Sequence, residues 1–256
     1  MTKAGLFTRH QKQVCVVMPV YKATPSPAEI LSFQRCLEVL AAYDLVLVVP
    51  ETLQTGFYEE LSAGTVRIER FADHYFAGIA GYNQLVMAGE FYRRFGAYQY
   101  MLLYQLDAYV FRDDLAQWCA KGYDYVAPPW MDDEFVKRYW TSNSRIGNWL
   151  GRLGVAPKTV GNGGFSLRKI RKCLLVISLL GSKAKKWDSN EDIFWSLYVP
   201  YYFPLFRTPN RTEALRFGFE TEPARCFGLT GQRLPMGCHA WEKYDASFWK
   251  QFIPVQ

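Results

Sequence analysis

Four short segments of this 256-residue chain gather the side chains able to do acid–base, metal or phosphate chemistry: YQLDAYVF (Tyr104 to Phe111), GNGGFSLR (Gly161 to Arg168), NEDIFW (Asn190 to Trp195) and GCHAW (Gly237 to Trp241). Asp107 closes the apolar run Tyr100 to Leu106, where a carboxylate is costly to bury unless it meets a metal, a base or water. Three glycines around Asn162 (Gly161, Gly163, Gly164) permit positive backbone angles and close approach of main chain to a ligand. Arg168, a few residues on, has the planar fork that holds a phosphate through two hydrogen bonds. Glu191 and Asp192 follow Ser189 and Asn190. One acid there serves as helix N-terminal charge, and the other is free to be a general base, worth roughly 10² to 10⁴ in rate. His239 fits equally a buried structural imidazole or a ligand.

The elements that must position these groups follow from hydrophobic periodicity. Val14 to Val20 and Leu45 to Val49 are continuous apolar runs of the kind that form central parallel strands covered on both faces. Between them Ser26, Pro27 and Glu29 supply an N-cap, a first-turn proline and a first-turn carboxylate, ahead of Ile30, Phe33, Leu37 and Leu40 at helical spacing. Thr65 to Phe71 reads as a third strand, Gly78 to Phe95 as a helix, Tyr100 to Leu106 as a fourth strand and Leu115 to Lys121 as a helix with Asp113 and Asp114 at its start. This alternation predicts an α/β fold with a mostly parallel sheet and right-handed crossovers, whose ligands bind at the carboxyl ends of the strands. Pro19 to Lys22, Glu51, Asp73 and Asp107 fall at such ends. Seven of the eight tryptophans lie beyond Pro129, placed to build a core or to stack on a ligand. No linker or repeat divides the chain, so the expectation is one domain, with a nucleotide-type half over about 12–110 and an acceptor-type half over about 111–256.

Half of the residues are hydrophobic and 21% are charged, which excludes disordered and fibrous classes. The longest aliphatic run, Leu174 to Leu180, is far short of the roughly 20 residues of a membrane helix. Met1 to Gln13 has no apolar signal-peptide core, so a cytoplasmic location is expected. The six cysteines form no C-x-x-C pair, against structural zinc and against a disulfide framework. The net charge of +6 is uneven: Phe135 to Trp187 contains 12 Lys or Arg and no Asp or Glu, and the rest carries 18 basic and 24 acidic side chains. Such a field attracts a nucleotide diphosphate, an anionic membrane surface or nucleic acid. Nucleic acid is disfavoured, because no DNA- or RNA-binding motif accompanies the charge.

Taken in order, the four segments, the last extended to LPMGCHAWEKYD, resemble an uncharacterised family of bacterial glycosyltransferase-like proteins, a domain of unknown function related to the GT-A glycosyltransferases. The resemblance covers most of the chain and implies a GT-A-like domain with a Rossmann-like N-terminal half. The implied activity is transfer of a sugar from a nucleotide-diphosphate sugar, a UDP-sugar first, to a hydroxyl of a glycan or lipid-linked glycan in bacterial surface polysaccharide synthesis. Pro19, Val20, Tyr21, Glu51, Gly78, Asn83, Gln105 and Asp107 then stand where the family holds the donor, with Arg168 as the cation for its diphosphate. Asn162, Gly163, Gly164, Phe165 and Trp195 stand on the acceptor side. Asp192 or Glu191 matches the catalytic base, and Asp107 with His239 the site of Mn²⁺ or Mg²⁺. One base-like carboxylate suits direct in-line attack with inversion. The family's Asp-x-Asp is incomplete, because Tyr109 replaces the second carboxylate. That departure keeps a non-catalytic carbohydrate- or nucleotide-binding module as the alternative. A sugar nucleotidyltransferase needs a glycine-rich loop that Met18 to Pro25 lacks. The basic run Arg168 to Lys186 offers peripheral contact with an anionic membrane, on its inner face.

Overall fold

The computed structural model describes residues 12–143, 159–203 and 205–254. Four strands, β1 (Lys12–Pro19), β2 (Asp44–Pro50), β3 (Arg67–Phe71) and β4 (Tyr98–Tyr104), run parallel. Two more, β6 (Tyr125–Val126) and β7 (Phe165–Lys169), complete a sheet of order β3-β2-β1-β4-β7-β6, with β7 antiparallel to both of its neighbours. This is the mixed, mostly parallel α/β sheet flanked by helices that the periodicity predicts.

Continuous apolar runs at β1 and β2 are explained by two-sided burial. Val14, Val16 and Met18 pack with Leu45, Leu47 and Val49 under helix α1 (Pro27–Val39), against Phe33 and Cys36. Cys15 and Val17 pack with Val46 and Val48 on the opposite face, against Leu85, Phe91 and Tyr92. Ser26 caps α1 in a reciprocal box: its hydroxyl accepts from Glu29 N, and the Glu29 carboxylate accepts from Ser26 N. Asp113 accepts from Leu115 N at the start of α5 (Leu115–Ala120), the terminal role expected of it, whereas the Asp114 side chain pairs with Arg112 instead.

Helix α2 (Gly56–Leu61) precedes β3. The single helix expected over Gly78 to Phe95 is two, α3 (Gly78–Val86) and α4 (Gly89–Arg94). Ala88 is extended and breaks the helix, and the Tyr92 hydroxyl donates to Val86 O, satisfying a carbonyl that the break frees. Helix α6 (Asp133–Asn143) leads to residues outside the description, which hold Arg145, Trp149, Arg152 and Lys158. Helix α7 (Ile170–Lys185) carries the aliphatic run. A second sheet joins β5 (Tyr109–Val110), β9 (Gly237–Cys238) and β8 (Gly218–Phe219), β9 lying between the other two. All six cysteines are free and buried. Trp195 and Trp249 are fully enclosed, and Trp130 and Trp241 are buried, which resolves these four tryptophans as core.

After β1 the chain winds outward through β2 to β3, then returns to place β4 on the other side of β1. The carboxyl ends of β1 and β4 therefore diverge at a topological switch, where open α/β sheets leave a crevice.

Candidate active site

A cleft of about 360 Å³ opens at this switch, lined from β1 by Pro19 to Lys22, from α3 by Gly78, Ile79 and Tyr82, and from β4 by Gln105 to Asp107. Tyr21 and Ile79 stand at its mouth, 60% and 74% exposed. Of the proposed donor residues, Pro19, Val20, Tyr21, Gly78, Gln105 and Asp107 thus meet in one place. Glu51 does not: β2 lies beyond β1, and Glu51 sits outside the lining. Asp73 likewise accepts from Thr52 N and Thr52 Oγ1 instead of facing the cleft. Asn83 ties α3 to the next acidic segment, donating to Ser189 O at 3.5 Å and accepting from Glu191 N at 3.4 Å.

Asp107 follows β4, and the β5–β9 pairing brings His239 onto it. His239 Nε2 lies 3.2 Å from Asp107 Oδ1 and 3.1 Å from Gln105 Oε1, while Nδ1 lies 3.0 Å from Glu220 Oε2. Burial disfavours charge on this imidazole, but Glu220 and Asp107 outweigh it and hold the ring's pKa well above the usual value. Burial would likewise raise Asp107; His239 overrides it and keeps the carboxyl below its ordinary range. Glu220 follows β8, and no feature of its sequence neighbourhood sets it apart from the nearby Glu222.

The glycine loop is shaped by close approach. Gln105 N donates to Gly164 O, and a Cβ at Gly164 would overlap His239 Nε2 and Gln105 Oε1. A Cβ at Gly163 would overlap Glu191 Oε1. Asn162 takes positive φ and accepts from Trp130 Nε1 at 3.0 Å, leaving its own Nδ2 buried without a partner.

Besides Glu51, three residues are not where the sequence reading puts them. Arg168 is fully buried, and its guanidinium is consumed internally, donating to Ser166 Oγ, Tyr92 Oη, Gly163 O and Glu191 Oε1. It does not reach a diphosphate in the cleft. Phe165, on β7, is buried and stacks on Phe217, and Trp195 is buried against Tyr92 and Phe206; neither can touch an acceptor. The apolar–polar alternation of Phe165, Ser166, Leu167 and Arg168 would have marked Phe165 as interior, but both faces of β7 are buried and the enclosure of Arg168 arises from tertiary packing alone.

The acidic pair divides. Glu191 pairs with Arg168 at 2.9 Å, both side chains enclosed. Asp192 has no such cation. Burial, and next the charge of Glu191, push its carboxyl from the ordinary 3.8 up to about 7, and it lies close enough to Glu220 and His239 to feel both. The residues that follow are wound as a π-helix, Phe194–Tyr198, a distortion common at functional sites; Pro200 has no N–H to give the carbonyl four residues back.

A divalent cation fits Asp107 and His239. Asp107 Oδ1 and His239 Nε2 converge at 3.2 Å with the Asp107 side chain 45% open to solvent, and Glu220 behind Nδ1 is the carboxylate that commonly orients a metal-bound histidine. Tyr109 lies in β5 beside Phe111 and Arg35, turned to the second sheet. Among the described residues no group of three or more His, Cys, Asp or Glu is placed to hold a metal, so the remaining ligands have to come from donor oxygens and water.

A family model described as "Protein of unknown function (DUF5672)" matches residues 65–239, well over half of the chain. The chain belongs to the DUF5672 family. That match runs from just before β3 to His239 and so includes the first three polar segments and the fourth as far as His239. No curated protein matches this DUF5672 chain. Among solved structures, mouse xyloside xylosyltransferase 1 aligns over 89% of this chain and 97% of its own at TM-score 0.54 and 12% identity. The galactosyltransferase LgtC, in complex with donor and acceptor sugar analogues, aligns over 93% and 95% at TM-score 0.52 and 14% identity. The bifunctional glycosyltransferase WbbM aligns over 92% of this chain and 46% of its own at TM-score 0.53 and 12% identity. This chain therefore shares the GT-A fold of these glycosyltransferases.

Proposed function

We propose that this protein is a glycosyltransferase that passes a sugar from a nucleotide-diphosphate donor, with UDP-sugar the first candidate, to a hydroxyl of a glycan or lipid-linked glycan. The observation that carries this reading is the meeting of Asp107 and His239 at the switch cleft with Asp192, a carboxyl of pKa about 7, close by. The fold it shares with the aligned transferases supports it.

Pro19 to Tyr21 and α3 would hold the nucleoside end of the donor, and Asp107 and His239 would hold Mn²⁺ or Mg²⁺. When bound, that ion supplies Lewis-acid neutralisation of the departing diphosphate. Lys243, whose charge is felt by Asp107, takes the place of Arg168 as the protein cation for this task. Asp192 accepts the proton of the acceptor hydroxyl as that oxygen attacks the anomeric carbon, and the bond to the diphosphate breaks on the opposite side with inversion. Asn162 Nδ2, buried and unpartnered, is the donor best placed on the acceptor side, beside Gly163 and Gly164. Bacterial surface polysaccharide is the proposed context, with the protein on the cytoplasmic side of the membrane and α7 on the lipid.

The test is calorimetric titration of UDP, GDP and CMP with Mn²⁺ and with chelator, followed by transfer assays. Asp107→Asn should weaken metal-dependent nucleotide binding by at least tenfold, and Asp192→Asn should keep binding and lose transfer. An active Asp192→Asn enzyme removes the base assignment, and NMR of the product anomer decides inversion. The single carboxylate at Asp-x-Asp favours one other reading, a binding module without turnover. Metal-dependent nucleotide binding with no donor hydrolysis or transfer would establish it.

A further inference from the structure

A second cavity, of about 440 Å³, lies away from the cleft and shares none of its lining residues. It is walled by α5, by the helices Arg211–Phe217 and Pro223–Leu229, and by the turn that follows the latter. Four cations face it, Arg112, Lys121, Arg216 and Arg233, against one lining carboxylate, Asp114. Two of them are already engaged: Arg112 pairs with Asp114 and donates to Leu234 O, and Lys121 pairs with Glu213 at 2.8 Å. Among the described residues the guanidinium groups of Arg216 and Arg233 make no hydrogen bond or ion pair, and both residues are exposed to the cavity's solvent.

We infer that this cavity is a second ligand site for a small phosphate monoester, its phosphate held by Arg216 and Arg233 and its organic part lying along Leu229 and Leu234. Two guanidinium forks without hydrogen-bond partners among the described residues, one from the helix Arg211–Phe217 and one from the turn, suit the oxygens of a single phosphate. Arg112 and Lys121, fixed in place by their own partners, add positive field without competing for the same oxygens. Leu229, 60% exposed, and Leu234 give the pocket an apolar side that an inorganic ion would leave unused. The volume suits a sugar phosphate or the headgroup end of a lipid phosphate. This site is independent of the transferase reading, since no residue of the cleft takes part.

The experiment is equilibrium dialysis of the full chain with radiolabelled glucose 1-phosphate, and separately with dihexanoyl phosphatidic acid below its micellar concentration. Binding with Kd at or below about 1 mM is expected for at least one of them. It should weaken at least tenfold in Arg216→Ala/Arg233→Ala and persist in Asp107→Asn. Glucose 1-phosphate binding with this pattern supports a soluble ester as the ligand, and binding of the lipid alone supports a lipid phosphate. Absence of binding by both, equal binding by the double variant, or loss in Asp107→Asn would overturn the proposal. Both arginines are exposed, and an unchanged thermal melting curve for the double variant establishes that any loss is not unfolding.

Discussion

Asp192 and Glu191 are adjacent, yet the fold gives them different chemistry. Their sequence showed two acids where one suffices to start a helix, and nothing local said which was spare. The partner of Glu191 is Arg168, 23 positions earlier, and only packing reveals it. A buried pair broken on one side leaves an uncompensated charge, so Arg168→Met should cost about 3–5 kcal/mol by urea unfolding. Arg168→Met with Glu191→Leu should recover much of that loss. In the proposed mechanism Asp192 carries the pH dependence. Its base form is present above its pKa of about 7, so kcat/KM should rise tenfold per pH unit up to about pH 7 and level off above it. Stability runs the other way. The folded chain retains a proton there that the unfolded chain releases near 3.8, so this group's contribution declines as pH rises from about 4 to about 7 and is then constant. A profile unchanged in Asp192→Asn would assign the titration to another group.

At the level of elements, strand positions were legible because β1, β2 and β4 are buried on both faces and leave unbroken apolar runs. The break between α3 and α4 was not, because the residues across it keep an apolar helical pattern while one extended alanine turns the chain. The sequence also flagged the glycine loop, though for a partly different reason than the one found. Backbone freedom was the expectation; exclusion of side chains by His239 and Glu191 is the larger constraint at Gly163 and Gly164. Gly164→Ala should therefore displace His239 or Gln105 and reduce metal-dependent nucleotide binding at least tenfold, with far-UV circular dichroism retained. Unaltered binding would mean that the loop yields instead.

For the molecule as a whole, the asymmetric charge was visible in composition, but its destination was not. Lys169 and Lys172 lie 3.9 Å from Asp124, Arg168 is interior, and among the described residues no cation of the basic run lines the cleft. What α7 presents outward is Leu175 and Leu179, 47% and 62% exposed, on a stripe with Arg171, and Lys183 and Lys186 are exposed beyond the kink at Leu180. No helix among the described residues is long and apolar enough to cross a membrane, and this stripe suits contact with the surface of one. Sedimentation with vesicles rich in phosphatidylglycerol should be substantial at low salt and lost near 1 M, and Leu175→Ser/Leu179→Ser should reduce it. Equal sedimentation with neutral vesicles would remove the electrostatic part of this reading.

Asp107 and His239 stand 132 positions apart in the chain, and two-residue strands clasp them together. A ribosome making this protein thus completes the sheet and most of the cleft long before it supplies the imidazole. Until β9 has emerged and paired, the growing chain has a crevice of the right shape with only one of its two charged jaws. The metal-assisted chemistry proposed for the cleft would accordingly wait on a strand made about 130 residues after β4.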